Sequence, residues 1–91
     1  MKKQILKFSS NWCQPCKQLQ KTIENDVIPL INQDEIEFIH VDIEENDELV
    51  NKYGIRNIPV LIFLEDGNEL ARLVGNVGKD KIMETIEEKF K

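Results

Sequence analysis

The chain is predicted to fold as an α/β domain, with a mixed four-stranded sheet and helices on both faces, in the order β-α-β-α-β-β-α. Three observations predict it. The run PVLIFL (59–64) is continuously apolar and has the length of a strand buried on both sides. An Asp-Gly pair follows at once in EDGNE (65–69), the signal of a tight hairpin. Upstream, strand-like and helix-like patterns alternate, which implies a βαβ unit with a parallel strand pair and a right-handed crossover.

Each element has its own justification. QILKF (4–8) reads as the first strand, and SSNW breaks it, with Ser9 and Asn11 suited to a turn. Leu19, Ile23 and Val27 then recur four apart, with Leu30 or Ile31 next on the same face. A helix from about Cys13 to Glu24 follows, with Pro29 forcing a break before a short second piece near 27–32. EIEFIHVDI (35–43) alternates apolar and polar residues and is a strand. NDELVNKYG (46–54) is a short helix, with Asn46 or Asp47 as N-cap and Gly54 as its stop. ELARLV (69–74) is the strand returning from the hairpin. Gly75 and Gly78 bracket a loop. KDKIMETIEEKF (79–90) is an amphipathic helix with Ile82, Ile86 and Phe90 on one face.

The 91 residues suffice for one core, so residues 1–91 are expected to form a single domain. Lys plus Arg number 12 against 17 Asp plus Glu, a net charge of −5, with the two signs interleaved. No basic stripe offers itself to a nucleic acid. No apolar run is long enough to span a membrane, and the N-terminal MKKQILKFSSNW lacks the apolar stretch and cleavage site of a signal peptide. A cytoplasmic location is therefore expected. Structural disulfides are rare there.

That expectation bears on the only two cysteines, Cys13 and Cys16, in NWCQPCK (11–17). A redox couple, half of a metal site and a structural disulfide are the three readings. Structural zinc needs four ligands, and this chain supplies two thiols and one histidine, His40, so a site would need a dimer or carboxylates. No metal is expected. The redox reading fits best. A C-x-x-C pair after a first strand places Cys13 at the start of a helix, where free N–H groups and the helix dipole favour a thiolate. Cys16, one turn on, is placed to resolve a mixed disulfide on Cys13. On these grounds Cys13 is expected to be exposed and Cys16 shielded. Pro15 suits the first helical turn, where its missing N–H costs nothing. Trp12 offers an apolar surface to a partner.

WCQPCK closely resembles the W-C-G-P-C-K signature of thioredoxins. A second, distant stretch, YGIRNIPVLIFLEDGNELARLVG (53–75), is similar to the thioredoxin segment with an isoleucine-proline step, a buried strand, a glycine hairpin and a valine-glycine. Two motifs in the right order make the resemblance far more specific than the cysteine spacing alone, and it covers essentially the whole chain. It implies a thioredoxin-like fold and a disulfide oxidoreductase in which Cys13 attacks and Cys16 resolves. It further implies that Pro59 is a cis-proline facing the disulfide, that Ile58 offers its backbone to an extended substrate, and that Gly75 leaves room for it.

The departures from the family pattern are specific. The extra N-terminal strand and helix are missing, Gln14 replaces the usual glycine, and Ser9 stands where a second tryptophan is usual. Lys7 occupies the place of a buried aspartate behind the disulfide, and His40 that of the lysine facing it, with Asp42 on the same strand face. Two readings follow. Lys7 snorkels to solvent from the strand end and His40 is a partly exposed strand residue. Alternatively, a cation behind the site favours thiolates, with His40 moving protons near neutral pH.

The resemblance implies a monomer without bound cofactor, acting on disulfide-containing proteins and reset by an NADPH-dependent thioredoxin reductase. A glutaredoxin-like enzyme reset by glutathione is the alternative suggested by the short length. A non-catalytic binding module is a third reading, which the intact cysteine pair opposes.

Overall fold

Residues 1–90 are described by a computed structural model. Its elements are β1 (Lys3–Ser9), α1 (Gln14–Thr22), β2 (Ile36–Asp42), α2 (Asp47–Tyr53), β3 (Val60–Glu65), β4 (Asn68–Val74) and α3 (Lys79–Lys89). Between α1 and β2 the chain makes a wide helical turn over Ile23–Val27 and a tight one over Ile28–Leu30. Pro29 explains the change. Proline has no N–H to give and crowds the carbonyl four residues back, so regular helix cannot run through it. The break keeps Ile23 and Val27 buried.

The sheet order is β2-β1-β3-β4. β1 runs parallel to β2 and antiparallel to β3, and β4 is antiparallel to β3. The hairpin turn is Asp66-Gly67, both at positive φ (52° and 84°). That twist matches the strands it joins, and glycine adopts it without a Cβ penalty. Past the turn, Leu64 pairs with Glu69 while Phe63 pairs with Ala71, so Leu70 is the extra residue of a bulge.

Strand alternation divides the core into two layers. Ile5, Leu61 and Phe63 pack beneath α1 and α3 with Leu19, Ile23, Val27, Ile82, Ile86 and Phe90. On the other face Leu6, Phe8, Val41, Val60 and Ile62 pack against Leu49, Val50 and Tyr53 of α2. Helices thus cover both faces. Gly54 ends α2 at φ 61°, as expected of a left-handed stop. Asn46 occupies the N-cap position of α2 but does not cap it. Its amide instead donates to the Asp42 carbonyl at 2.9 Å, which ties the helix start to the end of β2.

The register decides where chemistry collects. Phe8 pairs with Val60, and Val60 with Val74. The chain leaving β1, the chain entering β3 and the chain leaving β4 therefore meet at one end of the sheet. Those segments carry Cys13, Ile58–Pro59 and Gly75. Among the described residues, no helix is long and apolar enough to cross a membrane.

Candidate functional site

Cys13 is the N-cap residue of α1, in extended conformation (φ −94°, ψ 109°). Its Sγ accepts the backbone N–H of Cys16 at 3.2 Å, and its carbonyl accepts that of Lys17 at 3.2 Å. The cysteine sulfur thus fills the role that a serine or aspartate oxygen plays at an ordinary cap. Pro15 lies in the first turn, as the sequence predicts. Cys13 and Cys16 are joined by a disulfide, with Cα atoms 5.3 Å apart.

The neighbouring segments are tied to one another by their backbones. The Ile58–Pro59 peptide bond is cis. The Gly75 N–H donates to the Pro59 carbonyl at 2.8 Å, which holds the end of β4 against the proline. Asn76 reaches α1, donating to the Gln18 side chain at 2.9 Å. Arg72 donates to the Tyr53 carbonyl at 2.9 Å and grips Glu69 with two hydrogen bonds, pinning the loop that leads into Ile58. The Arg72 guanidinium holds the Glu69 carboxyl below its usual range through that hydrogen bond.

A helix-capping C-x-x-C disulfide and a cis-proline, on segments that meet at one end of the sheet, are joined by a match of the thioredoxin family model to residues 1–88. The chain belongs to the thioredoxin family. It is 33% identical over 87 residues to a thioredoxin of Mycoplasmoides gallisepticum, covering 93% of this chain and 82% of that one. It is 34% identical over 80 residues to a thioredoxin of Rhodospirillum rubrum, covering 88% and 75%. A crystal structure of a Malassezia sympodialis thioredoxin superposes with a TM-score of 0.86 at 26% identity, over 99% of this chain and 76% of that one. The protein is accordingly a thiol–disulfide oxidoreductase with Cys13 and Cys16 as its redox pair.

The structure corrects two expectations. Cys13 is not exposed in the disulfide form: it is 5% accessible and Cys16 3%, so burial does not tell the two apart. The cap geometry does, because only Cys13 receives an N–H from the helix start. Lys7 does not snorkel from a strand end. It lies inside β1 between His40 of β2 and Leu61 of β3, and is 6% accessible. As residue 5 packs under α1, so residue 7 faces the same layer, beneath the helix that carries Cys16. Burial holds the Lys7 amine below the usual lysine range, offset in part by the Glu24 carboxylate. His40 is exposed, as the simpler reading had it, and its Nδ1 lies 3.4 Å from the Ser9 hydroxyl.

Trp12 is 66% accessible, and its indole N–H donates to Glu44 at 2.7 Å. Glu44 is in turn fixed by its own N–H bonding to Asp42 at 2.9 Å. No sequence signal marks Glu44. The strand register that carries the β2 terminus to the cysteine loop is what brings it there, through the Ile43 N–H bonded to the Ser9 carbonyl. Ser10 was equally silent, and it is buried with its hydroxyl unpaired.

Proposed function

We propose that this oxidoreductase reduces disulfides of cytosolic proteins as a monomer, with Cys13 as the attacking thiol and Cys16 as the resolving one. The observation that carries the reading is the N–H of Cys16 aimed at the Cys13 sulfur. A hydrogen bond to the charged form of a thiol favours that form, and the helix dipole adds to it. Cys13 is therefore the sulfur whose thiolate the helix start favours. Trp12, Pro15, Ile58, Pro59 and Gly75 form the surface that receives the substrate, with Ile58 pairing backbone to backbone with an extended segment. Lys7 and His40 tune the thiols from behind.

Alkylation of the fully reduced protein with iodoacetamide at pH 7 is the first check. Peptide mapping is expected to find Cys13 modified at least about tenfold faster than Cys16, because the thiolate is the reacting species. Faster modification of Cys16 would reverse the assignment.

Resetting is assigned to an NADPH-dependent thioredoxin reductase, in keeping with the family. Turnover of insulin disulfides is expected with NADPH and such a reductase, and to be slower with glutathione and glutathione reductase. Faster turnover with glutathione would favour the glutaredoxin-like alternative. Absence of turnover in both systems would favour a binding module.

A further inference from the structure

β2 is an edge strand of the sheet, so the gap between it and α1 opens sideways to solvent. Two open clefts adjoin there. The larger, of about 250 Å³, has an apolar wall of Ile23, Ile28 and Phe38, and Glu24 also lines it. The smaller, of about 160 Å³, is polar and lies beside Cys16, with Ser9, Ser10 and Lys17 on its walls. Lys7, Gln20 and His40 line both, so they stand where the two clefts meet. The register accounts for this. Lys7 pairs with His40 across β1 and β2, and Ile5, two residues before Lys7, pairs with Phe38. Strand alternation puts all four on the face that α1 covers.

We propose that this composite cleft binds a small amphipathic monocarboxylate, with its carboxylate on Lys7 and its apolar body along Ile23, Ile28 and Phe38. Lys7 is 6% accessible, and among the described residues it has no ion pair. A buried cation in that condition is costly, and a hydrogen-bonded counter-anion offsets the cost. The chain's own carboxylate at the cleft does not fill the role. Glu24 favours the Lys7 ammonium but offsets its burial only in part, and its carboxylate accepts from the Gln20 amide instead. Further donors for a ligand oxygen stand nearby. The Ser10 hydroxyl is buried in the wall of the smaller cleft without a hydrogen-bond partner. The His40 ring turns Nδ1 towards the Ser9 hydroxyl at 3.4 Å, which leaves its Nε2 for a ligand.

The lining sets the class of ligand. Cys16, Gln20 and Glu24 are spaced four apart along one helical stripe and mark the cleft from its polar end to its apolar end. The cations Lys7 and Lys17 lie towards the first end and the Glu24 carboxylate at the second. That polarity suits a single negative charge at one end of the ligand, because a charge at the other end would meet Glu24. An inorganic anion would leave the apolar wall in water. At about 30 Å³ for each water-sized group, the larger cleft holds about eight, the length of a medium aliphatic chain. A few polar groups fixing one end of a ligand against an apolar wall is the usual make-up of a small-molecule site. None of Trp12, Pro15, Ile58, Pro59 and Gly75 lines either cleft, so this site lies apart from the surface assigned to the disulfide substrate.

Titration of the oxidised, isotope-labelled protein with octanoate at pH 7 in phosphate-free buffer, followed by amide NMR shifts, tests the site. Saturable shifts are expected at Lys7, Gln20, Ile23, Phe38 and His40, with a Kd of about 1 mM or below for a ligand of about ten heavy atoms. Octanamide has the same length without the charge, and inorganic phosphate has the charge without the tail. Each is expected to bind at least about tenfold more weakly than octanoate. Lys7→Met, shown by circular dichroism to be folded, should weaken octanoate by at least about tenfold as well. Octanamide binding as tightly as octanoate would mean that the ammonium recognises nothing, and would overturn the proposal. Phosphate binding as tightly would do the same for the apolar wall. So would saturable shifts confined to another face, an unchanged affinity in folded Lys7→Met, or no saturable shift up to about 20 mM octanoate. The comparison of the three ligands is made on the wild-type protein, so it decides the matter whether or not the variant folds.

Discussion

Cys16→Ser is expected to stop turnover while leaving the first attack intact. Cys13 keeps its place at the start of α1, and the N–H that stabilises its thiolate belongs to the backbone of residue 16, so the substitution leaves that donor in place. The variant should therefore form a mixed disulfide with a protein substrate and go no further. An internal thiol held one helical turn away acts at an effective concentration far above that of any millimolar thiol in solution. Loss of that thiol should lower the steady-state rate of insulin reduction by about a thousandfold or more. Mass spectrometry of the variant after incubation with a disulfide-bearing protein should show an adduct on Cys13, released by dithiothreitol. Cys13→Ser should form none at a comparable rate. A stable adduct on Cys16 in Cys13→Ser, formed as fast as the adduct on Cys13, would exchange the two roles. Because the trap captures whichever protein reacts, the same variant is the route to physiological substrates.

Much of this architecture is legible in the residues, because it depends on local signals. The apolar run 59–64 is β3 at Val60–Glu65, and the Asp-Gly pair is its turn. The four-residue spacing of Ile82, Ile86 and Phe90 is the buried face of α3. Boundaries move by a residue or so, as at β1, predicted over 4–8 and found over Lys3–Ser9. What stayed hidden depends on register, which no short window contains. Lys7 reads as a lysine near a strand end until β1 is placed between β2 and β3, and then it is enclosed from both sides and from above by α1. The same register carries Glu44 to Trp12. The bulge at Leu70 is invisible because ELARLV alternates well enough as a plain strand. Asn46 is a good capping residue by type, yet a carbonyl at the end of β2 takes its side chain first.

Enclosure of Lys7 has a measurable thermodynamic consequence. Lys7→Met is expected to raise the stability of the protein. An ammonium desolvated beneath α1 without an ion-pair partner costs free energy that a methionine of similar length does not. Replacing buried charged groups by apolar ones of like volume stabilises proteins by about 1–4 kcal/mol in favourable cases. For a chain of this size each 1 kcal/mol moves Tm by roughly 4–8 °C. The gain must depend on pH in a definite sense. The Lys7 pKa is lower in the folded protein than the ordinary value of 10.5, so in the window between the two the unfolded chain binds more protons. Wild-type stability therefore carries the full penalty of Lys7 below the folded pKa and sheds it as pH rises toward 10.5. Lys7→Met has no such group, so the gap between the two proteins should be widest at neutral pH and close as pH rises through that window. Urea unfolding of both oxidised proteins at pH 7 and at pH 10 measures it. A variant less stable than wild type at pH 7, or a gap that does not narrow at the higher pH, would mean that the Lys7 ammonium is well solvated after all. The open cleft that Lys7 shares with His40 would then be what gives it solvent.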